Sequence, residues 1–399
     1  MLESTANLKS VATVKGRSGG RPLPRSTALL IATDGTPQSD AAIALARLLS
    51  LGDKREVRVL TVVDHAPIPW GTIDRSLVMA YERCLREDFA SKATAQRDRL
   101  GEKNWKIEVG SGDPATTIAA LAKESRCRIV VVGLGGHGAA ARVFGNETAL
   151  GLMRVSQVPV LAVDSRLSAL PKRIMVAMDF RGSSIEAARL ALEIAAPDAI
   201  VTLVHVVPWD RKEYIPAHWF KEHETYISSQ LTRVTGWLDQ SSGFRMHQKI
   251  LYGKPGPSLL SYAEEFNADL IVTGTHGRGS VARMLTGQTL SKLVRGARCS
   301  LLVFPAAAAF GRSDQPLCES ESQQQEADWA RKLDEFSRTS VGKVQSSVLL
   351  FHPNRPKIAH AKGSVKETVV PSAGLLSIQI LPPCASTIPL EIASPSPAA

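Results

Sequence analysis

The segment LIVTGTHGRGSVARMLTGQTLSKL, residues 270–293, decides how the chain reads. It opens on LIVT, a short apolar run that suits a strand buried on both faces. Gly274, Gly277 and Gly287 follow in a Gly-x2-Gly-x9-Gly spacing, and Gln288-Thr289 starts a helical pattern. Glycine lets a backbone approach an anion with no Cβ in the way. A helix N-terminus offers free N–H groups and the positive end of its dipole. A Thr hydroxyl there donates to a phosphate oxygen or caps the helix. Arg278 and Arg283 add positive charge to the same loop. A glycine loop alone is a weak signal; this spacing between a strand and a helix is more specific.

The segment has an earlier echo. Residues 110–164 align with 251–305 without a gap, at an offset of 141. Gly112 and Pro114 fall on Gly253 and Pro255; Gly133, Gly136 and Gly138 fall on Gly274, Gly277 and Gly279. Thr148 falls on Thr289, and Leu152, Arg154 and Leu161 fall on Leu293, Arg295 and Leu302. Upstream, ALLIATDGTPQSDAAIALARLL from Ala28 matches RIMVAMDFRGSSIEAARLALEI from Arg173. Each apolar run ends on an Asp, Asp34 or Asp179, before a polar turn and an Ala/Leu-rich helix. Two diverged copies of one unit are therefore expected.

Each copy alternates strand and helix. The pattern predicts strands at 28–32, 57–63, 106–109, 129–132 and 158–163, with helices at 39–50, 74–101, 114–125 and 148–155. In the second copy it predicts strands at 173–177, 200–207, 247–251, 270–273 and 300–304, with helices at 184–195, 217–240, 257–266 and 288–296. Helices between buried strands imply right-handed crossovers and a doubly wound parallel sheet. The expected fold class is α/β, as two tandem doubly wound five-stranded parallel-sheet domains, Rossmann-like. The expected divisions are a disordered basic tail at 1–26, domains at 27–166 and 170–306, and a linker with a mostly disordered extension at 307–399. Within that extension, 326–338 suits one amphipathic helix, and SVLLF and LLSIQIL suit short strands. Strands 158–163 and 300–304 are expected to meet, because pairing covers an apolar edge.

On the strand-end Asp, the LVHVV of the second strand, the Gly-x-Pro turn and the glycine spacing, residues 27–306 resemble the universal stress protein (UspA-type) family. The resemblance implies an adenine nucleotide alpha hydrolase-like fold whose domains pair through the last strand. Members with the full glycine motif bind ATP or a related adenine nucleotide, which Mg2+ can accompany; members with a degraded motif do not. Carried over by position, the second copy is the expected site. Asp179, with Ala177 and Met178, would meet the nucleoside, and the Val206 backbone the adenine. Gly274, His276, Gly277, Gly287, Gln288 and Thr289 would form the phosphate loop. Gln288 departs from the usual Ser or Thr. The first copy is expected to be weak or vestigial, with Asp34, Gly133, Gly136, Asn146 and Thr148 at the matching positions. Asn146 replaces the third glycine there. Glu147 is expected at a helix start, either standing in for a phosphate or as an ordinary first-turn acid.

Composition bounds the rest. With 44% hydrophobic and 22% charged residues, the 399-residue chain is an ordinary globular one. Its net charge of +10 is spread along the chain, which argues against a nucleic-acid face. Five scattered cysteines without a CxxC fit a reducing compartment, and the cytoplasm is the default location. The basic, acid-poor N-terminus reads as a disordered tail, with an organellar transit peptide as the alternative. No stretch approaches the roughly 20 apolar residues of a membrane span. Gly253-Lys254-Pro255 lacks the Walker frame, and no HExxH, GxSxG or paired-carboxylate motif argues for an enzyme, although slow ATP hydrolysis is compatible with such a site. Without the family pattern, Asp34 and Asp179 are as well explained as turn formers. His205 reads as a core or interface histidine, and Cys127 and Cys299 as small buried hydrophobes; His65 and His137 have no visible partner. The expected function is stress-response binding of an adenine nucleotide in the second domain. The alternative is a scaffold that binds no nucleotide and forms an intramolecular pseudo-dimer. A homo-oligomer and further protein partners are left open.

Overall fold

The computed structural model describes residues 28–51, 56–64, 75–135, 139–208, 217–275 and 287–309, with positions 328 and 331. The expectations for 1–26, His65, Gly136, His137, Gly138, His276, Gly277, Arg278, Arg283 and nearly all of the C-terminal extension lie outside those residues. The first copy runs β1 (Leu29–Ala32), α1 (Asp40–Leu51), β2 (Val57–Val63), α2 (Arg75–Arg99), β3 (Lys106–Ser111), α3 (Pro114–Glu124), β4 (Ile129–Leu134), α4 (Ala139–Val155) and β5 (Val160–Asp164). The second runs β6 (Arg173–Ala177), α5 (Gly182–Ile194), β7 (Ile200–Val207), α6 (Ala217–Ser242), β8 (Arg245–Tyr252), α7 (Pro255–Glu265), β9 (Leu270–Gly274), α8 (Gly287–Gly296) and β10 (Ser300–Phe304), with a short α9 (Ala306–Ala309). Among the described residues no helix is long and apolar enough to cross a membrane.

The strands form one ten-stranded sheet in the order β3-β2-β1-β4-β5-β10-β9-β6-β7-β8. Every neighbouring pair is parallel except β5 and β10, which meet antiparallel with Leu302 opposite Leu161. The two five-stranded halves thus join through their last strands, as the edge argument expects. Both seam strands are buried along their whole length. The outer edges, β3 and β8, carry Lys106, Glu108, Arg245, His247 and Lys249 and are largely exposed or half-buried. Charge on an edge strand discourages further pairing.

Alternation along the strands divides the core into two layers. Leu29, Ile31, Val131, Leu161, Ile174, Val176 and Leu302 pack on one face with side chains of α1, α5 and α6. Leu30, Val130, Val132, Ala162, Met175, Ile271 and Leu301 pack on the other with α3, α4, α7 and α8. Each layer runs unbroken across the seam, so both copies share one core on each face.

The Gly-x-Pro turns form as expected. Gly112 has φ +116 and Gly253 has φ +118. Asp113 caps α3 by accepting the Thr116 N–H, and Pro114 takes the first helical turn. Hydrogen bonds from Thr116, its backbone N–H first and then its hydroxyl, hold the Asp113 carboxyl below its ordinary range. One expectation fails. The helix predicted at 148–155 starts at Ala139, because Ala139, Ala140 and Ala141 are strong helix formers and carry the helix through Gly145.

Candidate functional site

Open parallel sheets place ligands outside the carboxyl ends of their strands. In the first copy β1 ends at Ala32, and Thr33-Asp34-Gly35 make the turn. Asp34 Oδ1 accepts from the Thr36 N–H at 3.0 Å, the Thr36 hydroxyl at 2.7 Å and the Ser39 hydroxyl at 3.1 Å. This is an Asx turn, the turn-forming role weighed above. Gly35 has φ +77, and a Cβ there would lie 2.7 Å from Lys92 Cβ on α2. Gln96, also on α2, ties the turn down. Its buried amide oxygen accepts from Thr33 Oγ1 at 2.6 Å, and its nitrogen donates to the Thr36 carbonyl at 2.7 Å. Nothing in the sequence flagged Gln96.

Beside this turn lies a cleft of about 450 Å³. Ala32, Leu60, Val62, Ile118 and Val132 give apolar walls; Asp34, Thr36, Gln38, Gly133, Gly135 and Thr148 add polar edges. Asp34 is exposed. Ligand sites of about 300–1,000 Å³ with a few polar groups on apolar walls are the usual pattern.

Register places the same cradle in the second copy. Ala177 pairs with Val204 as Ala32 pairs with Leu60. Among the described residues, Ala177, Met178, Asp179, Val204, Val206, Pro255 and Leu259 line a space of about 10 Å³ there. Asp179 is buried, and its Oδ1 accepts from the Arg181 N–H at 3.2 Å, again across a turn. Phe180 stands where the first copy has Gly35. It holds a left-handed backbone at φ +62, rare for a bulky residue. Its ring is 1% exposed and stacks on His205 with centroids 4.8 Å apart. Burial pushes the His205 pKa down to about 4, so the ring is neutral and Nδ1–H donates to the Met178 carbonyl at 2.9 Å. His205 is therefore the core histidine that its position suggested.

The first glycine of each loop has a packing reason. A Cβ on Gly274 would lie 2.6 Å from the Ser183 carbonyl carbon and from the Ser184 nitrogen, at the start of α5. A Cβ on Gly133 would lie 3.0 Å from the Gln38 oxygen and the Ser39 Cα. These glycines let the helix entry close over the strand end.

The two helix starts differ. Gly287-Gln288-Thr289 are the first described residues of α8. Gln288 is exposed and Thr289 is buried. Asn146, Glu147 and Thr148 instead lie in the middle of α4. The expected helix start at Glu147 is thereby corrected: it sits at no N-terminus and stands in for no phosphate. Its carboxylate pairs with Arg295 at 2.6 Å across the seam. Asn146 takes a bonded place in the core. It is 3% exposed and bonded through both side-chain heteroatoms. Thr148 does border the first cleft. Cys127 and Cys299 are buried, and desolvation pushes their thiols up to about 11 and about 12.

The model of the universal stress protein family matches this chain twice, over residues 27–164 and 171–305. The chain belongs to the universal stress protein family. A universal stress protein of Mycolicibacterium smegmatis is 27% identical over 288 residues, covering 69% of this chain and 96% of that protein. One from Methanocaldococcus jannaschii is 31% identical over 143 residues, covering 34% of this chain and 82% of that protein. Among solved structures, a universal stress protein of Archaeoglobus fulgidus aligns with TM-score 0.49 at 22% identity, over 70% of this chain and 99% of its own. A universal stress protein in complex with cAMP aligns at 22% identity and TM-score 0.27, over 34% of this chain and 98% of its own.

Proposed function

We propose that this universal stress protein is a stress-response protein that binds an adenine nucleotide, with the first-copy cleft as its principal seat. The observation that carries the reading is the first-copy cleft of about 450 Å³, with apolar walls and polar edges that include Asp34 and Thr36. The apolar walls suit a base, and the exposed Asp34 carboxylate is an acceptor for ribose hydroxyls. The glycine spacing favours the second copy instead. It rests on Gly274, Gly287, Gln288 and Thr289 at the family's phosphate-loop positions.

Calorimetric titration of the full chain with ATP, with cAMP as competitor, tests the reading. Asp34→Asn keeps an oxygen for the Thr36 N–H but removes the carboxylate. It is expected to weaken binding about tenfold, roughly 1.4 kcal/mol. Asp179→Asn is expected to change it less than about threefold. The reverse order would move the seat to the second copy. No saturable binding at millimolar ATP would favour the scaffold, whose two copies already pair through β5 and β10.

A further inference from the structure

The third glycine of the loop is Gly287 in the second copy and Asn146 in the first. Asn146 Oδ1 accepts the Gly135 N–H at 2.9 Å. Its Nδ2 donates to the Val294 carbonyl at 3.1 Å. Gly135 borders the first cleft, directly after β4. Val294 belongs to the last turn of α8, in the other copy. Carbonyls in a last turn have no N–H partner within their helix, so Asn146 satisfies an acceptor that α8 leaves over. One buried amide therefore joins the rim of the first cleft to the end of a helix in the other copy. Arg295 to Glu147 and Arg154 to Ser291, at 2.8 Å, reinforce the contact between α4 and α8.

The repeat makes the tie one-sided. The matching residue in the second copy is Gly287, which has no side chain to bond back to α4. A chain of two similar units is thus asymmetric at the point where its two cradles approach the seam.

We propose that Asn146 is a positioning residue that couples the two copies. The placement of α8 in the second copy sets Gly135 at the rim of the first cleft, and occupancy of that cleft is felt at α8. The ligand part rests on the nucleotide reading above; the tie itself does not. Linkage requires the effect to be reciprocal for binding.

Amide hydrogen exchange on the full chain tests it. Val294→Ala alters α8 at a residue that is not part of the first cleft's lining. It is expected to speed exchange of the Gly135 amide at least fivefold when Asn146 is present. In an Asn146→Ala background, where Gly135 is already fast, it is expected to add less than twofold. Asn146→Asp keeps the volume and the acceptor but loses the donor. Because it also buries a charge, global stability is measured by urea unfolding alongside, and amides 295–298 at the end of α8 are expected to speed by more than that loss accounts for, so a folding defect is told apart from a lost tie. Independent, multiplying effects of Val294→Ala and Asn146→Ala would overturn the proposal, as would an unchanged Gly135. In a second arm, saturating ATP is expected to slow exchange in α8 of the wild type and not of Asn146→Ala. Failure of ATP to bind would sink the nucleotide reading, while the ligand-free arm still decides the tie.

Discussion

Gly274→Ala is expected to destabilise the protein by about 3 kcal/mol, the upper end of what overpacking a core usually costs. The added carbon would lie 2.6 Å from three atoms of Ser183 and Ser184, two of them backbone. A flexible side chain can swing away from such a contact; backbone must move as a unit. Neither side is free to move. β9 is held between β10 and β6 by parallel ladders on both edges. The start of α5 is buried from Gly182 through Ala188. Gly274 has no positive φ, so alanine adds no backbone strain and even gains roughly 0.4–1 kcal/mol from a stiffer unfolded chain. The steric term has to exceed that gain. Gly133→Ala is the internal control. Its Cβ would lie 3.0 Å from a short 3-10 turn, Pro37–Ser39, which can yield by a few tenths of an ångström. About 1 kcal/mol is expected there. Urea unfolding at constant m-value measures both. A Gly274→Ala protein within 1 kcal/mol of wild type would show that the strand end is not packed as described.

The sheet was legible because its signals are local and redundant. IVVV and LIVT are too apolar to face water on either side, and the repeat offset supplies each strand twice. The seam was legible for the same reason: VLAVD and SLLVF carry no charge before Asp164, so leaving either as an open edge would expose apolar surface. The site was less legible. Glycine spacing locates a loop but does not report the volume beside it, which depends on how Leu60, Val62 and Ile118 in one copy and Val204, Val206 and Leu259 in the other fill their space. The start of α4 was misplaced because repeat alignment transferred the loop of the second copy onto Ala139–Val155, where local propensity extends the helix instead. Asn146 had a visible signal, a polar residue replacing a glycine. Its partner Val294 lies 148 positions away, and only the antiparallel seam brings them together. Phe180 had no signal. Its left-handed backbone matches the turn that the first copy makes with Gly35.

Acidification from pH 7.5 to 4 is expected to remove about 3 kcal/mol of stability through His205 alone. Its folded pKa is about 4, against about 6.5 for an unfolded chain, and desolvation by burial is the main cause. The Met178 carbonyl and nearby Asp179 oppose that shift without cancelling it. A depressed histidine pKa means that the unfolded chain binds the proton first. The contribution is therefore complete above pH 6.5 and falls as pH drops from 6.5 to 4. At about 1.36 kcal/mol per unit, some 2 kcal/mol is gone by pH 5. His223 acts in the same direction, its pKa lowered to about 4 first by desolvation and then by the neighbouring His205. Protonating His205 would place a cation in the core, stacked on Phe180 and with its Nδ1–H already committed to a carbonyl. Urea midpoints at pH 7.5, 6, 5 and 4.5 measure the loss. His205→Phe keeps an aromatic ring for the Phe180 stack but leaves the Met178 carbonyl without its donor. That variant is expected to be less stable at pH 7.5 and to lose less on acidification, by about 2 kcal/mol at pH 5. Equal slopes for wild type and variant between pH 6.5 and 5 would show that His205 is not held neutral by its burial.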